Sequence, residues 1–172
     1  MHQHSISIAT LSDIDEMVTL VNSAYRGETS KKGWTTEADL LDGIRTDSDS
    51  ITALMSNANN TILKYSIDNS IVGCVLLENQ LTQLYLGMLT VNPELQNKGI
   101  GKKLLAAAEI FAKEQQLTTI TMSVISIRKE LIQWYCSKGY HLTGKTKPFP
   151  IDKRFGIPKQ KLEFVLLEKV IT

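Results

Sequence analysis

The segment Gln96-Asn97-Lys98-Gly99-Ile100-Gly101 stands between an apolar run, Leu84 to Val91, and a Leu-rich amphipathic stretch. The first backbone N–H groups of a helix have no intrahelical partner and carry the positive end of its dipole. A loop that turns them outward beside a strand end makes an anion site suited to a pyrophosphate. Gly99 and Gly101 lack side chains, so phosphates can approach the backbone and the chain can take positive φ. Lys98, Lys102 and Lys103 add cationic charge nearby. Spacing excludes two common phosphate loops. A P-loop would place Gly at position 96 and a hydroxyl residue after Lys102, where Gln96 and Lys103 stand. The third glycine of a dinucleotide fingerprint would fall on Leu104.

What remains is Gln-x-x-Gly-x-Gly between a strand and a helix, preceded by Leu89-Thr90-Val91-Asn92-Pro93. It resembles the acyl-CoA-binding motif of the GNAT superfamily of N-acetyltransferases. The resemblance implies that backbone N–H groups from Gln96, Asn97, Lys98, Gly99, Ile100 and Gly101 hold the pyrophosphate of acetyl-CoA. Lys102 or Lys103 then either approaches a phosphate oxygen or lies on a solvated helix face. It also implies that the strand before the loop splays at a bulge near Gly87-Met88. That would leave backbone groups of Leu89 and Val91 for the pantetheine amides and an N–H near Leu89-Thr90 for the oxyanion. An ordinary central strand, with Gly87 as a packing accommodation, is the alternative.

A second run, Arg128-x-x-Leu131-x-x-Trp134-Tyr135-x-x-x-Gly139-Tyr140, is similar to the family's Asn-x-x-Ala-x-x-Leu-Tyr-x-x-x-Gly-Phe signature. Tyr135 falls on the tyrosine that protonates the departing thiolate in many members. The chemistry is reasonable, because a phenol of pKa about 10 can donate to a thiolate and recover its proton from water. Arg128 replaces the usual Asn. It either serves a phosphate or an acidic acceptor, or forms a helix-start ion pair with Glu130 or another acidic neighbour. On the acceptor side the resemblance points to Tyr25, Arg26, Trp34, Thr35 and Glu37, with Pro148-Phe149-Pro150 opposite. Glu37 is a candidate general base, or an acidic residue in the first turn of a helix capped by Thr36. Arg26 either reads a carboxylate or sits exposed at a helix C-terminus; Trp34 is a pocket wall or a hydrophobic staple.

The implied function is transfer of an acetyl group from acetyl-CoA to a primary amine of a small molecule or peptide. Transfer would be direct, in a ternary complex, without a metal. A non-catalytic CoA- or acyl-CoA-binding module of the same fold is the alternative. No Gly-x-Ser-x-Gly elbow is present, and Cys136 with His141 is weak ground for a thiol nucleophile.

At 172 residues the chain is expected to form one domain, residues 1–172, able to bury roughly 70% of its unfolded surface. Hydrophobic residues at 42%, charged residues at 22% and a net charge of +1 give no reason to expect nucleic acid or a membrane as partner. Met1-His2-Gln3-His4-Ser5 lacks a basic n-region and an apolar h-region, and Cys74 and Cys136 lack metal-ligand spacing. A cytoplasmic protein, monomeric or homodimeric, is expected.

The elements that position these residues follow from periodicity. Ile6, Ile8 and Thr10 alternate as a first strand, and Ser12 caps a helix reaching Tyr25. Thr36 caps a second short helix with Leu40, Leu41 and Ile44 facing inward. Residues 47–60 are polar and ambiguous, with a helical turn around Thr52 to Met55. Thr61 to Ile67 and Ile71 to Glu78 form a hairpin, and Gln83 to Val91 a third arm. Helices over 101–115 and 128–138 alternate with strands 118–125, 140–147 and 162–170, and Gly139 ends the second helix. The order β-α-α-β-β-β-α-β-α-β-β predicts an α/β (α+β) domain: a GNAT-like, mostly antiparallel seven-stranded sheet with helices on both faces.

Overall fold

Between residues 60 and 91 apolar side chains occur at odd and even positions alike, the pattern of strands covered on both faces. The computed structural model describes residues 1–172. Along the chain come β1 (His4–Ile8), α1 (Ile14–Tyr25), α2 (Gly27–Ser30), β2 (Leu41–Asp42) and α3 (Ser48–Ser56). Then follow β3 (Asn60–Ile67), β4 (Ser70–Asn79), β5 (Leu84–Val91), α4 (Ile100–Glu114) and β6 (Thr119–Ile125). The chain ends with α5 (Lys129–Ser137), β7 (His141–Pro148), β8 (Ile157–Pro158) and β9 (Glu163–Val170).

Seven strands make one sheet in the order β1-β3-β4-β5-β6-β9-β7, antiparallel except where β5 and β6 run parallel. β2 and β8 form a separate antiparallel pair. The mixed, mostly antiparallel seven-stranded architecture anticipated above is therefore present. Asp68 and Asn69 turn the β3–β4 hairpin with φ of 49° and 68°, which short polar side chains tolerate.

Helices cover both faces, and the parity of the strands assigns them. Leu63, Tyr65, Val75 and Leu77 pack with Leu104, Leu105 and Ala108 of α4 and Ile132 and Tyr135 of α5. Their neighbours Ile62, Cys74 and Leu76 pack instead with Met17, Leu20 and Val21 of α1 and Ile51 of α3. Each helix buries one stripe at three- and four-residue spacing.

Several expectations are corrected. The cap of the first helix is not Ser12: the Thr10 N–H donates to the Asp13 carboxylate at 2.8 Å, across a 3-10 turn. No helix follows Thr36, whose hydroxyl accepts from Ala38 N–H in a single turn. Leu41 is buried in β2, but Ile44 is exposed. The reason is tertiary: Asn22 of α1 accepts from Arg45 and Thr46 N–H at 2.8 and 3.0 Å and donates to Thr46 O. Side chains from α1 thus satisfy backbone groups that a local helix would have paired. The helix lies further on, as α3, capped by Asp47 accepting from Ser50 N–H. β1 is an edge strand whose residues are all exposed, so its alternation does not mark a buried face.

Candidate active site

β5 pairs with β6 only at Leu84–Ile120 and Tyr85–Thr121; beyond, the two strands part. A bulge in β5 accounts for this. Leu76 lies opposite Gly87 but Cys74 opposite Thr90, and Met88 takes a φ of 53°. An extra residue on one strand bends it and increases its twist. Asn92 N–H donates to Val72 O, so by alternation Thr90 faces β4, while Leu89 and Val91 turn their backbone groups into the gap. Both carbonyls are engaged from within the protein. The Tyr25 phenol donates to Leu89 O, and Gln96 Nε2 donates to Val91 O at 3.2 Å. The N–H groups of Leu89 and Val91 point the same way. Thr90 is set apart: its side chain is buried and its hydroxyl donates to Met88 O.

The loop that follows is shaped by Asn92, whose side chain accepts from Glu94 N–H, and by positive φ at Asn97 (67°) and Gly99 (83°). None of the backbone N–H groups of residues 96–102 donates to a protein acceptor, whereas Leu95 N–H donates to Asn92 O and Lys103 N–H to Gly99 O. Seven consecutive donors therefore remain without a protein partner at the start of α4. Of the three lysines, Lys102 lines the adjacent cavity and Lys98 does not. Lys103 turns away to Tyr65, its Nζ 3.3 Å from the phenol oxygen. It is not available to a phosphate at the loop. Gly101 has a second reason to be glycine: a Cβ there would lie 3.2 Å from the Trp134 ring.

The Gln96 side chain ties this loop to the segment after α2. Its Oε1 accepts from Trp34 N–H at 2.8 Å and its Nε2 donates to Thr35 Oγ1 at 2.7 Å. Trp34 thereby stands 6.0 Å, centroid to centroid, from Trp134 across the cleft. Together they wall a cavity of about 260 Å³ lined further by Val91, Gly99, Ile100 and Lys138.

This cavity adjoins a second one at the β5–β6 gap. A small cavity of about 80 Å³ shares Tyr25, Leu89, Leu131 and Tyr135 with it. On its other side the same small cavity shares Glu37, Arg45, Gly87 and Met88 with an outer pocket of about 680 Å³, walled also by Phe149 and Pro150. The fold thus brings the loop, Tyr135 and the acceptor-side residues around three adjacent cavities that share walls. Tyr25 and Tyr135 line the small middle one. Burial pushes the Tyr25 phenol up to about 12 and the Tyr135 phenol well above the usual 10. Both keep their protons. The Tyr25 proton is committed to Leu89 O, while the Tyr135 phenol borders both the loop-side cavity and the small one in the gap.

Around the gap the charges are paired in an unanticipated way. Arg26 is buried, not exposed at a helix end; its Nε donates to Glu37 Oε1 at 3.2 Å and its Nη1 to Ile44 O and Phe155 O. Arg128 pairs with Glu37 rather than with Glu130: Nη1 lies 3.6 Å from Glu37 Oε2, and Nη2 donates to Thr35 O at 2.6 Å. Glu37, buried and outside any helix, therefore holds two guanidiniums, one on each oxygen. Both of its oxygens are occupied, which argues against a free proton acceptor. Arg45, Trp134 and Lys138 were not assigned site roles from sequence. For Trp134 and Lys138 a signal existed, since they lie one before and three after Tyr135 on the same helix. For Arg45 there was none, because its place is set by Asn22 of α1, which no local pattern reveals. Cys136 is exposed, and His141 pairs with Glu168 at 3.2 Å, so these two do not form a nucleophilic pair.

The family model for the Acetyltransferase (GNAT) domain matches residues 38–149. Solved structures share the fold. The ribosomal-protein-S18-alanine N-acetyltransferase from Escherichia coli superposes with a TM-score of 0.74 at 12% identity, covering 99% of this chain and 95% of that one. YncA from Salmonella typhimurium, a putative acetyltransferase described with its cofactor acetyl-CoA, gives 0.71 at 16% identity over 98% and 94%. A ribosomal-protein-alanine N-acetyltransferase from Brucella melitensis gives 0.72 at 19% over 97% and 99%. No curated protein matches the chain in sequence.

Proposed function

The chain belongs to the GNAT acetyltransferase family, and from that premise we propose that it acetylates a primary amine with acetyl-CoA, by direct transfer in a ternary complex. Residues 1–172 act as one catalytic domain. The observation that carries this reading is the run of seven unpaired N–H groups at residues 96–102, set beside a cavity that Tyr135 lines. Ile100 is buried and Gln96 and Gly101 are half-buried, while Asn97, Lys98, Gly99 and Lys102 are exposed, so the run is open to an anionic ligand that supplies acceptors. The residues present fit CoA: an anion cradle at the helix start, then a narrow cleft walled by Trp34, Val91 and Trp134.

When bound, acetyl-CoA supplies a thioester whose acyl carbon the amine attacks. The backbone at 96–101 and Lys102 hold the diphosphate. The Val91 N–H group takes the pantetheine arm, and Leu89 N–H polarises the thioester carbonyl. Thr90 has no direct part, because its backbone belongs to the β4 pairing. Tyr25 keeps Leu89 O occupied, which fixes the strand edge. Tyr135 donates to the departing sulfur. The burial that raises its phenol also raises a thiol at the same place, so donor and acceptor stay matched. The C–N bond forms as the C–S bond breaks; the amine proton leaves to water and the sulfur takes the Tyr135 proton. Glu37 serves as the counter-ion that positions Arg26 and Arg128, and water in the outer pocket is the base.

Thermal unfolding with and without CoA, followed by thiol release from acetyl-CoA with a panel of amines, tests the proposal. CoA at about 100 times its Kd should add about 2.7 kcal/mol of stability. Tyr135→Phe should lower kcat by about 10²–10⁴-fold with little change in CoA affinity. A non-catalytic module would show the thermal shift but release no thiol with any amine. No shift at millimolar CoA would remove the basis of the assignment.

A further inference from the structure

The identity of the amine acceptor is written in the charge around the gap; this step rests on the transferase reading. Three guanidiniums, those of Arg26, Arg45 and Arg128, line the outer pocket and the gap. Facing them is one buried carboxylate, Glu37, already shared between Arg26 and Arg128. Asp152, at the pocket wall, is taken by Arg154 at 2.7 Å. Arg45 is left over. Its backbone N–H donates to Asn22 Oδ1, but no carboxylate lies within ion-pair distance of its guanidinium, which donates to no acceptor in the protein. It is only half-buried, and it lines both the small cavity in the gap and the outer pocket. A guanidinium in a cavity wall, with its five donors in a fixed fork, suits a carboxylate above other partners.

We propose that the acceptor is a free α-amino acid with an apolar side chain, its carboxylate read by Arg45. Arg45 borders both the gap, where the acceptor nitrogen must arrive, and the outer pocket. The anion it reads must therefore sit close to the amine, as in an α-amino acid and not at a peptide N-terminus. Leu54, Leu76, Met88, Tyr85 and Phe149 offer the side chain an apolar bed. The pocket volume, about 680 Å³, lies in the small-molecule range. Excess positive charge also favours the neutral amine over the ammonium, which assists attack without a dedicated base.

The test compares kcat/KM for leucine and phenylalanine with their carboxamides and with Leu- and Phe-initiated tripeptides, in wild type and in Arg45→Gln. Wild type should prefer the free acid over its amide by about 10²-fold, the effect of a charge-assisted hydrogen bond. In Arg45→Gln that preference should collapse to within about threefold, since its source is gone. Arg45→Lys should retain part of it, because an ammonium keeps the charge but loses the fork. The CoA thermal shift identifies which variants are folded, and the wild-type comparison stands without them. Amides or tripeptides acetylated as well as free amino acids, or a preference that survives in Arg45→Gln, would overturn the inference while leaving the transferase reading intact. Absence of thiol release with any amine would overturn both.

Discussion

Replacing Glu37 with Gln separates two roles for the most enclosed carboxylate of the site. The side chain is 10% exposed, and its partners Arg26 and Arg128 are 5% and 10% exposed. At an effective dielectric near 20, the contacts at 3.2 and 3.6 Å each represent about 5 kcal/mol of direct attraction. Desolvation of three charges offsets most of that, and removing one partner from a buried pair costs about 3–5 kcal/mol. The Gln amide keeps the shape and can still accept from Arg26 Nε, so the lower end, about 3 kcal/mol, is expected. For a domain of this size that is a fall in Tm of roughly 6–12 °C, measurable by calorimetry. Adding Arg128→Gln to Glu37→Gln removes one of the stranded cations and should return about 1 kcal/mol or more, a coupling that only a shared charge network produces. At a temperature where Glu37→Gln is folded, kcat should stay within about tenfold of wild type, short of the loss that removing a general base brings. A variant with unchanged Tm and CoA affinity, but kcat lower by about 10²–10⁴-fold, would make Glu37 the general base and refute the counter-ion argument.

Two further outcomes follow from named contacts. A Cβ at Gly33 would lie 2.4 Å from Gln96 Oε1. Gly33→Ala should expel the Gln96 side chain, release Trp34 and Val91 O, and weaken CoA binding by about tenfold by calorimetric titration, the effect of roughly one net hydrogen bond. Asp13 carries a pH signature. Burial would raise its carboxyl, but hydrogen bonds from Lys64 and from Thr10 N–H outweigh that and hold it below 3.8. A depressed folded-state pKa contributes stability that is complete above the unfolded value and is lost as pH falls through the folded one. Urea melts should therefore show wild type losing stability below about pH 4 more steeply than Asp13→Asn.

Sequence reading reached the central hairpin, the third arm and the α4 and α5 helices to within a residue or two, because their signals are local. Periodicity, turn residues at Asp68-Asn69 and glycines at 99 and 139 act over a few positions. The segment from Thr36 to Thr46 was misread as helix for the opposite reason. Its backbone partners are Asn22 and the guanidinium of Arg26, far along the chain and invisible to any local window. The first strand is present as β1, although its alternating pattern does not say whether a helix extends far enough to cover it.

The site divides along the same line. By itself the sequence determined a strand, a glycine-bearing loop and a helix start across residues 84–115, and the family resemblance added the expectation of a bulge near Gly87-Met88. The loop and helix start depend on backbone conformations that glycine spacing and a turn dictate locally. Only the tertiary structure decided which charges meet. It sent Lys103 away to Tyr65, bound Glu37 between Arg26 and Arg128, and left Arg45 alone beside the gap. Charge pairing depends on distances between segments far apart in the chain, and burial multiplies each such distance into kilocalories.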